Sequence, residues 1–335
     1  MKSPITGKEM ILSVKDSTVM FRKEEFTIKY KFYLCEDTQE EFTTTELDTL
    51  NLNQIHNQYR DRHNLPFTDE IIHFREKLNI SAKLMSKVFG FGTNVYRNYE
   101  SGEVPSLSNG KLIYQSINSL KFFKTLVEDS SDLKEQEKTK LLGAIKKLRR
   151  DAEAHSSQKY YLALVQKEKF PNNHTGYKNL DLDKFSQMVG FFAQSQEPSE
   201  VKLNKLLFYA DFYHFNKTGY SISGAQYRAI DYGPVPNNYD ILFNYAEKSG
   251  IVCKDLVQYS EHINGKHYLA SKHFKFDVEL FSEEELETLK TIAEKFKDFS
   301  ATKIKDVSHE EEAWTCNSEE KSLIDYTLAF KLKHA

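Results

Sequence analysis

The sequence predicts an α+β chain that is mainly α. Three observations carry that reading. Phe26, Ile28, Tyr30, Phe32 and Leu34 alternate with Thr27, Lys29, Lys31 and Tyr33, the period-two pattern of a strand with one buried face. Past residue 49 the apolar spacing is helical, most clearly at Leu203, Leu206, Leu207, Ala210 and Tyr213. The strongest hairpin signal is Asn264-Gly265, with Val257–His262 before it and Lys266–Leu269 after it. Four segments follow: a β unit over 1–48, a helical region over 49–127, a helical connector and linker over 128–179, and a mostly helical domain with a hairpin over 180–335.

Within the first segment, Met10–Val14 and Val19–Phe21 are expected to partner the alternating strand. Lys15-Asp16-Ser17 and Lys23-Glu24-Glu25 are the expected turns. Thr68 followed by Glu70 and a stripe of Ile71, Phe74 and Leu78 predicts a capped helix. Residues 128–156 are charge-rich, with a thin stripe of Leu133, Leu141, Leu142, Ile145 and Leu148, hence the connector reading. Pro171-Asn172-Asn173 reads as a turn. Ser282 with Glu285 three residues on predicts a capping box opening a helix over 281–299.

The totals exclude several classes. With 335 residues, 39% of them hydrophobic, and 24 Phe and 19 Tyr, the chain can build real cores and is not globally disordered. A net charge of −3 means that any nucleic-acid contact must come from a local patch. The three cysteines, Cys35, Cys253 and Cys316, are odd in number and far apart, so no disulfide framework is expected and a reducing cytoplasm is. The opening MKSPITGKEM has no apolar leader, and no apolar run nears the ~20 residues of a membrane span. A soluble cytoplasmic protein with no membrane partner is the expectation.

Residues 78–105 hold the sharpest motif of the N-terminal half. Ser81 can cap a helix with an inner face of Ala82, Met85, Val88 and Phe89, and Gly90 permits a tight turn. Gly92 is expected to start a second helix that buries Tyr96 and Tyr99 and turns Thr93, Asn94, Arg97 and Asn98 outward. Short polar side chains of this kind suit base edges, Asn for adenine and Arg for guanine. With the Tyr99-Glu100-Ser101-Gly102 ending, the segment resembles the Cro/Xre-type helix-turn-helix. That resemblance implies binding to double-stranded operator DNA as a homodimer, with Thr93, Asn94, Arg97 and Asn98 as the reading face.

The first 48 residues resemble the zinc-ribbon arm that precedes such a motif in MqsA-like antitoxins. The family's CPxCG knuckle is here Ser3-Pro4-Ile5-Thr6-Gly7, and the second knuckle, expected at Leu34-Cys35-Glu36-Asp37-Thr38, keeps only Cys35. Hydroxyls are poor zinc ligands, so a ribbon shape without metal is expected, and no cofactor.

Lys202–Asp211, Thr218-Gly219, Tyr232-Gly233-Pro234-Val235-Pro236, Leu280–Glu285 and Ser308–Trp314 together resemble the Panacea domain of SocA-like antitoxins, over about residues 180–335. The resemblance implies binding and neutralisation of a toxin protein encoded by the adjacent gene. It leaves a second reading open, an adaptor delivering a client to a AAA+ protease. From the residues themselves, Gly233–Pro236 reads as a stiff turn. Tyr209, Tyr227, Tyr232, Pro234 and Tyr239 are the candidate toxin-binding residues, because tyrosine offers rigid amphipathic contact area.

Signs of catalysis are few. Phosphate-loop and GxSxG motifs are absent, and four residues after His309 stands Ala313 where a second zinc-binding histidine would be needed. His262, His267 and His273 with Cys253 fit no standard zinc spacing. Asp211 and His214, three apart on one helix, could form an acid/base pair, but a plain side-chain hydrogen bond is the expectation. A non-enzymatic protein is therefore expected.

Overall fold

The computed structural model describes residues 1–154, 156–165, 171–260 and 263–335. Strands β1 (Ile11–Phe21), β2 (Glu24–Leu34) and β3 (Glu41–Phe42) open the chain, followed by helix α1 (Thr45–His63). Then come α2 (Thr68–Lys77), α3 (Ala82–Val88), α4 (Val95–Glu100), α5 (Leu107–Asn118), α6 (Leu120–Asp129), α7 (Glu135–Ala154) and α8 (Ser156–Val165). Helices α9 (Leu182–Gln196) and α10 (Glu200–Thr218) precede β4 (Tyr227–Ile230), β5 (Gly233–Pro236), α11 (Tyr239–Lys248), β6 (Val252–Ser260) and β7 (Ile263–Ala270). Helices α12 (Glu283–Lys295), α13 (Ala301–His309) and α14 (Glu312–Thr315) follow. The class is α+β, mainly α, as the periodicities predict. Among the described residues no helix is long and apolar enough to cross a membrane.

Two compact units form. One consists of residues 1–58 together with 161–335, the other of 59–160. The N-terminal sheet thus shares a unit with the C-terminal region, and most of the charge-rich stretch read as a connector belongs to the helical unit.

In the first unit, β1 and β2 pair antiparallel without a break, from Ile11 opposite Leu34 to Phe21 opposite Glu24. The expected turn at Lys15-Asp16-Ser17 is absent, because Lys15 and Asp16 pair with Tyr30 and Lys29 in mid-ladder. The reversal falls instead on Arg22 and Lys23, both left-handed at φ 50° and 70°, as a two-residue hairpin with primed geometry requires. The other edge of β2 is sealed by α1. Asn51 accepts from Lys31 N–H at 3.0 Å and donates to Lys31 O at 2.9 Å; Gln54 treats Lys29 the same way at 2.9 and 3.0 Å. Gln58 donates to Thr27 O at 3.0 Å. The opposite amides of α1, Asn53 and Asn57, donate to Thr218 O at 3.0 Å and Gly219 O at 3.1 Å, carbonyls that end α10.

Helix α10 is buried almost all round, and its buried run from Lys202 to Phe212 is unbroken. A helix of that kind belongs at the centre of a core, and α10 packs against α9, α12, α13 and β5. Ser282 and Glu285 form the expected capping box of α12, at 3.2 and 2.9 Å, though the helix ends at Lys295. The hairpin of β6 and β7 exists, but Asn264 and Gly265 lie inside β7 opposite Gln258 and Val257. The register shifts between Gln258 and Ser260, and Ser260 pairs with Ile263. His262 lies outside the described residues.

In the helical unit, Ile71, Phe74, Met85, Tyr96, Ile113, Phe123 and Val127 form one core, which Leu133, Leu141 and Ile145 join. Helix α2 starts at Thr68, but its cap is Phe67, whose N–H donates to Glu70 Oε2 at 2.9 Å.

Candidate functional sites

In the helical unit, α3 is capped as expected: Ser81 Oγ accepts from Leu84 N–H at 3.2 Å. Gly90 turns the chain at φ +67°. Helix α4 then starts at Val95, three residues later than Gly92, and is six residues long. Ser86 Oγ accepts from Tyr96 N–H at 3.2 Å, and Tyr96 Oη donates to Ile71 O at 2.9 Å, so α4 is bolted to α3 and α2 from inside. Burial raises the Tyr96 phenol well above its usual range, and it stays neutral. Asn109 donates to Tyr99 Oη at 2.9 Å, and Arg75 pairs with Glu100. With Tyr96 and Tyr99 buried, Thr93, Asn94, Arg97 and Asn98 are all exposed and lie within one turn and its approach. That face offers amide, hydroxyl and guanidinium groups together.

The second candidate is the tip of the β4–β5 hairpin. Tyr227 to Ile230 pair with Pro236 to Gly233, which leaves Asp231 and Tyr232 at the reversal. Gly233 is left-handed at φ +93°, and a Cβ there would come within 2.6 Å of Ser308 Oγ and 2.7 Å of Lys205 Cε. Behind the tip, Lys205 Nζ donates to Pro234 O at 2.9 Å. Burial, with Lys305 nearby, lowers the Lys205 ammonium to about 7. Trp314 Nε1 donates to Ile230 O at 2.8 Å, and its ring stacks on His309 at 3.9 Å. Tyr232 stands out from this tip, 65% exposed. Tyr239 is half-buried against Phe243.

The other three candidate toxin contacts lie inside. Tyr209 and Tyr227 have no exposed surface, and Pro234 is buried. Tyr209 Oη donates to Glu311 Oε1 at 3.2 Å and its ring stacks on Phe296. Tyr227 Oη donates to Asp211 Oδ2 at 2.8 Å. The structure thus removes all three from the surface: Tyr209 and Tyr227 bury an apolar ring whose hydroxyl finds an acceptor, and Pro234 is buried with its carbonyl held by Lys205.

Asp211 and His214 do not form a pair. Asp211 accepts from Ile222 and Ser223 N–H at 2.8 and 2.9 Å, from Ser223 Oγ at 2.6 Å and from Tyr227. It is a fully buried anchor for the loop after α10, and burial raises its carboxyl against those four donors. His214 Nδ1 contacts Thr288 Oγ1 at 3.3 Å. His214 lines a polar cleft of about 410 Å³ with Thr45, Asn53, Lys217 and Glu285. Buried Glu285 accepts from Lys178 at 3.1 Å and Lys184 at 2.8 Å, and the two ammoniums hold it down at about 2 despite burial.

Two residues that sequence reasoning passed over are Lys205 and Glu311. Glu311 accepts from Tyr209 and also from Lys333 N–H at 2.9 Å and His334 N–H at 3.1 Å. The available signal for Lys205 was a lysine leading directly into the apolar run Leu206-Leu207-Phe208-Tyr209-Ala210. His267 Nδ1 lies 3.0 Å from Glu197 O, and among the described residues no group of His, Cys, Asp and Glu is arranged to hold a metal.

Residues 203–315 match the family model of the antitoxin SocA-like Panacea domain. The matched stretch contains all but the first turn of α10, the hairpin tip, and helices α13 and α14. This part of the chain is similar to that domain, inside the 180–335 span of the sequence resemblance. No curated protein matches the chain.

Proposed function

We propose that this protein is an antitoxin of a type II toxin-antitoxin system that binds its toxin through the first unit and operator DNA through the helical unit. The observation that carries the reading is the family match over 203–315. An inhibitor needs a preorganised surface, and the braced tip with exposed Tyr232 beside half-buried Tyr239 is one. The partner is the toxin encoded by the adjacent gene. In the helical unit, α3, the Gly90 turn and α4 act as a helix-turn-helix, with Thr93, Asn94, Arg97 and Asn98 reading the major groove of a palindromic operator as a homodimer in the cytoplasm. The N-terminal sheet is a degenerate zinc ribbon. No catalytic step is part of this reading.

The test is co-expression of the tagged full chain with the adjacent gene product. Stoichiometric capture and rescue of growth are expected. Tyr232→Ala with Tyr239→Ala should loosen the complex by several kcal/mol, roughly 2 per hot-spot residue, and leave operator binding intact. Rescue that survives this double substitution would move the toxin surface away from the tip.

A further inference from the structure

The N-terminal sheet is closed at its base by two turns with the same internal wiring. In the first, Ser3 N–H donates to Lys8 O at 2.8 Å and Gly7 N–H donates to Ser3 O at 2.9 Å. In the second, Cys35 N–H donates to Glu40 O at 3.0 Å and Gln39 N–H donates to Cys35 O at 2.7 Å. The fifth residue of each is left-handed, Gly7 at φ 70° and Gln39 at φ 59°. Amides of the first turn point back at the side chain of its first residue: Ile5 and Thr6 N–H donate to Ser3 Oγ, both at 3.3 Å.

First and fourth places are Ser3 and Thr6 in one turn and Cys35 and Thr38 in the other. Across the two turns Thr6 Oγ1 lies 3.7 Å from Cys35 Sγ, and the Ser3 hydroxyl, then that of Thr38, holds the Cys35 thiol down to about 6. Ser3 and Cys35 are buried, at 3% and 2% exposure. Two facing turns with side chains at the first and fourth places are the backbone of a four-ligand cradle. Structural zinc asks that cradle for thiolate or imidazole donors at ~2.0–2.3 Å, and neutral hydroxyls bind it poorly. The residues present do not fit the ion.

We infer that this is a metal cradle in which hydroxyls at Ser3, Thr6 and Thr38 stand in three of the four ligand places beside the single sulfur of Cys35, so that the two turns close without an ion. The backbone for a tetrahedral site is retained and only donor atoms are missing. The full chain carrying Ser3→Cys, Thr6→Cys and Thr38→Cys should bind one cobalt(II) per chain, with thiolate-to-cobalt charge transfer and the intense d–d bands of a tetrahedral tetrathiolate site. The unsubstituted chain should show neither, and its melting temperature should not move in excess EDTA.

A triple variant that is folded by circular dichroism yet binds no cobalt overturns the inference. So does an unsubstituted chain that retains stoichiometric metal or melts earlier with chelator. Should the triple variant fail to fold, Ser3→Ala decides. Exchange of the Ile5 and Thr6 amides should then quicken by about tenfold, the loss of one net hydrogen bond, and Ser3→Cys should restore part of the protection. Unchanged exchange in Ser3→Ala overturns it.

Discussion

Tyr227 spends its hydroxyl on Asp211, a carboxyl with no exposed surface. Tyr227→Phe should cost ~1–3 kcal/mol by leaving that acceptor short of a donor, read as a shift in urea midpoint with unchanged slope. His214 gives a pH signature. Burial, then the ammonium of Lys178, holds it down to about 3, below the 6.5 of an exposed histidine. The folded state therefore prefers the neutral ring, and stability is complete above about 6.5 and is lost as pH falls toward about 3. Glu285, held down at about 2, loses its contribution only below its ordinary 4.5. Between pH 6.5 and 4.5 the histidine dominates this neighbourhood of Lys178, Lys184, Lys217 and Glu285, and His214→Gln should flatten the slope of stability there. An unaltered slope would assign the pH dependence elsewhere. On the DNA side, Arg97→Ala should reduce discrimination between operator and random duplex by ~1–3 kcal/mol if it reads a guanine, measured by titration at fixed salt. The α4 face was legible because buried and exposed residues alternate with helical period. Tyr209 and Tyr227 were not, because a tyrosine in sequence carries no mark of which side of a helix or strand is solvent.

At the scale of elements, α1 does the work of a strand. Asn51 and Gln54 each satisfy one amide and one carbonyl of β2, groups that would otherwise form an open sheet edge. Asn51→Ala should cost ~1–3 kcal/mol for each buried group it leaves unpaired, and Gln54→Ala somewhat less, because its bonds are half-buried. Thermal unfolding of the single and double variants checks this; no loss in the double variant would mean that water seals the edge equally well. Amides at helical spacing read in sequence as a solvated face, so this seal was invisible there. The β1–β2 hairpin was legible from the alternation of Phe26 to Leu34, but its turn was misplaced. Arg22 and Lys23 lack the Asn-Gly signature of their conformation, while Asn264-Gly265 carries it inside a strand. Pairing along the whole ladder overrode local preference in both hairpins.

For the whole molecule, the chain order and the packing order differ. The unit that holds the hairpin tip is assembled from residues 1–58 and 161–335, with the helical unit drawn from the chain between them. Sequence order alone could not reveal this, since the bonds that join the two pieces run from Asn53 and Asn57 to carbonyls more than a hundred and fifty positions away. Deleting residues 1–58 should expose those carbonyls and render what remains of the unit sensitive to limited proteolysis at the end of α10. Toxin capture should fall with it. A truncated chain as resistant as the full one would show that α10 closes without its amide partners.

The bond from Lys31 to Asn216 spans 185 positions. On a ribosome adding ~5–20 residues per second, the N-terminal sheet leaves the exit tunnel roughly 10–40 s before the helix it is to rest on has been made. Residues 59–160 are complete during that interval and hold their own core. The nascent protein thus owns its α4 face well before it owns a finished hairpin tip, and through that delay Lys31 of β2, buried in the finished fold against Asn216 and the Phe330 ring, still waits for its cover.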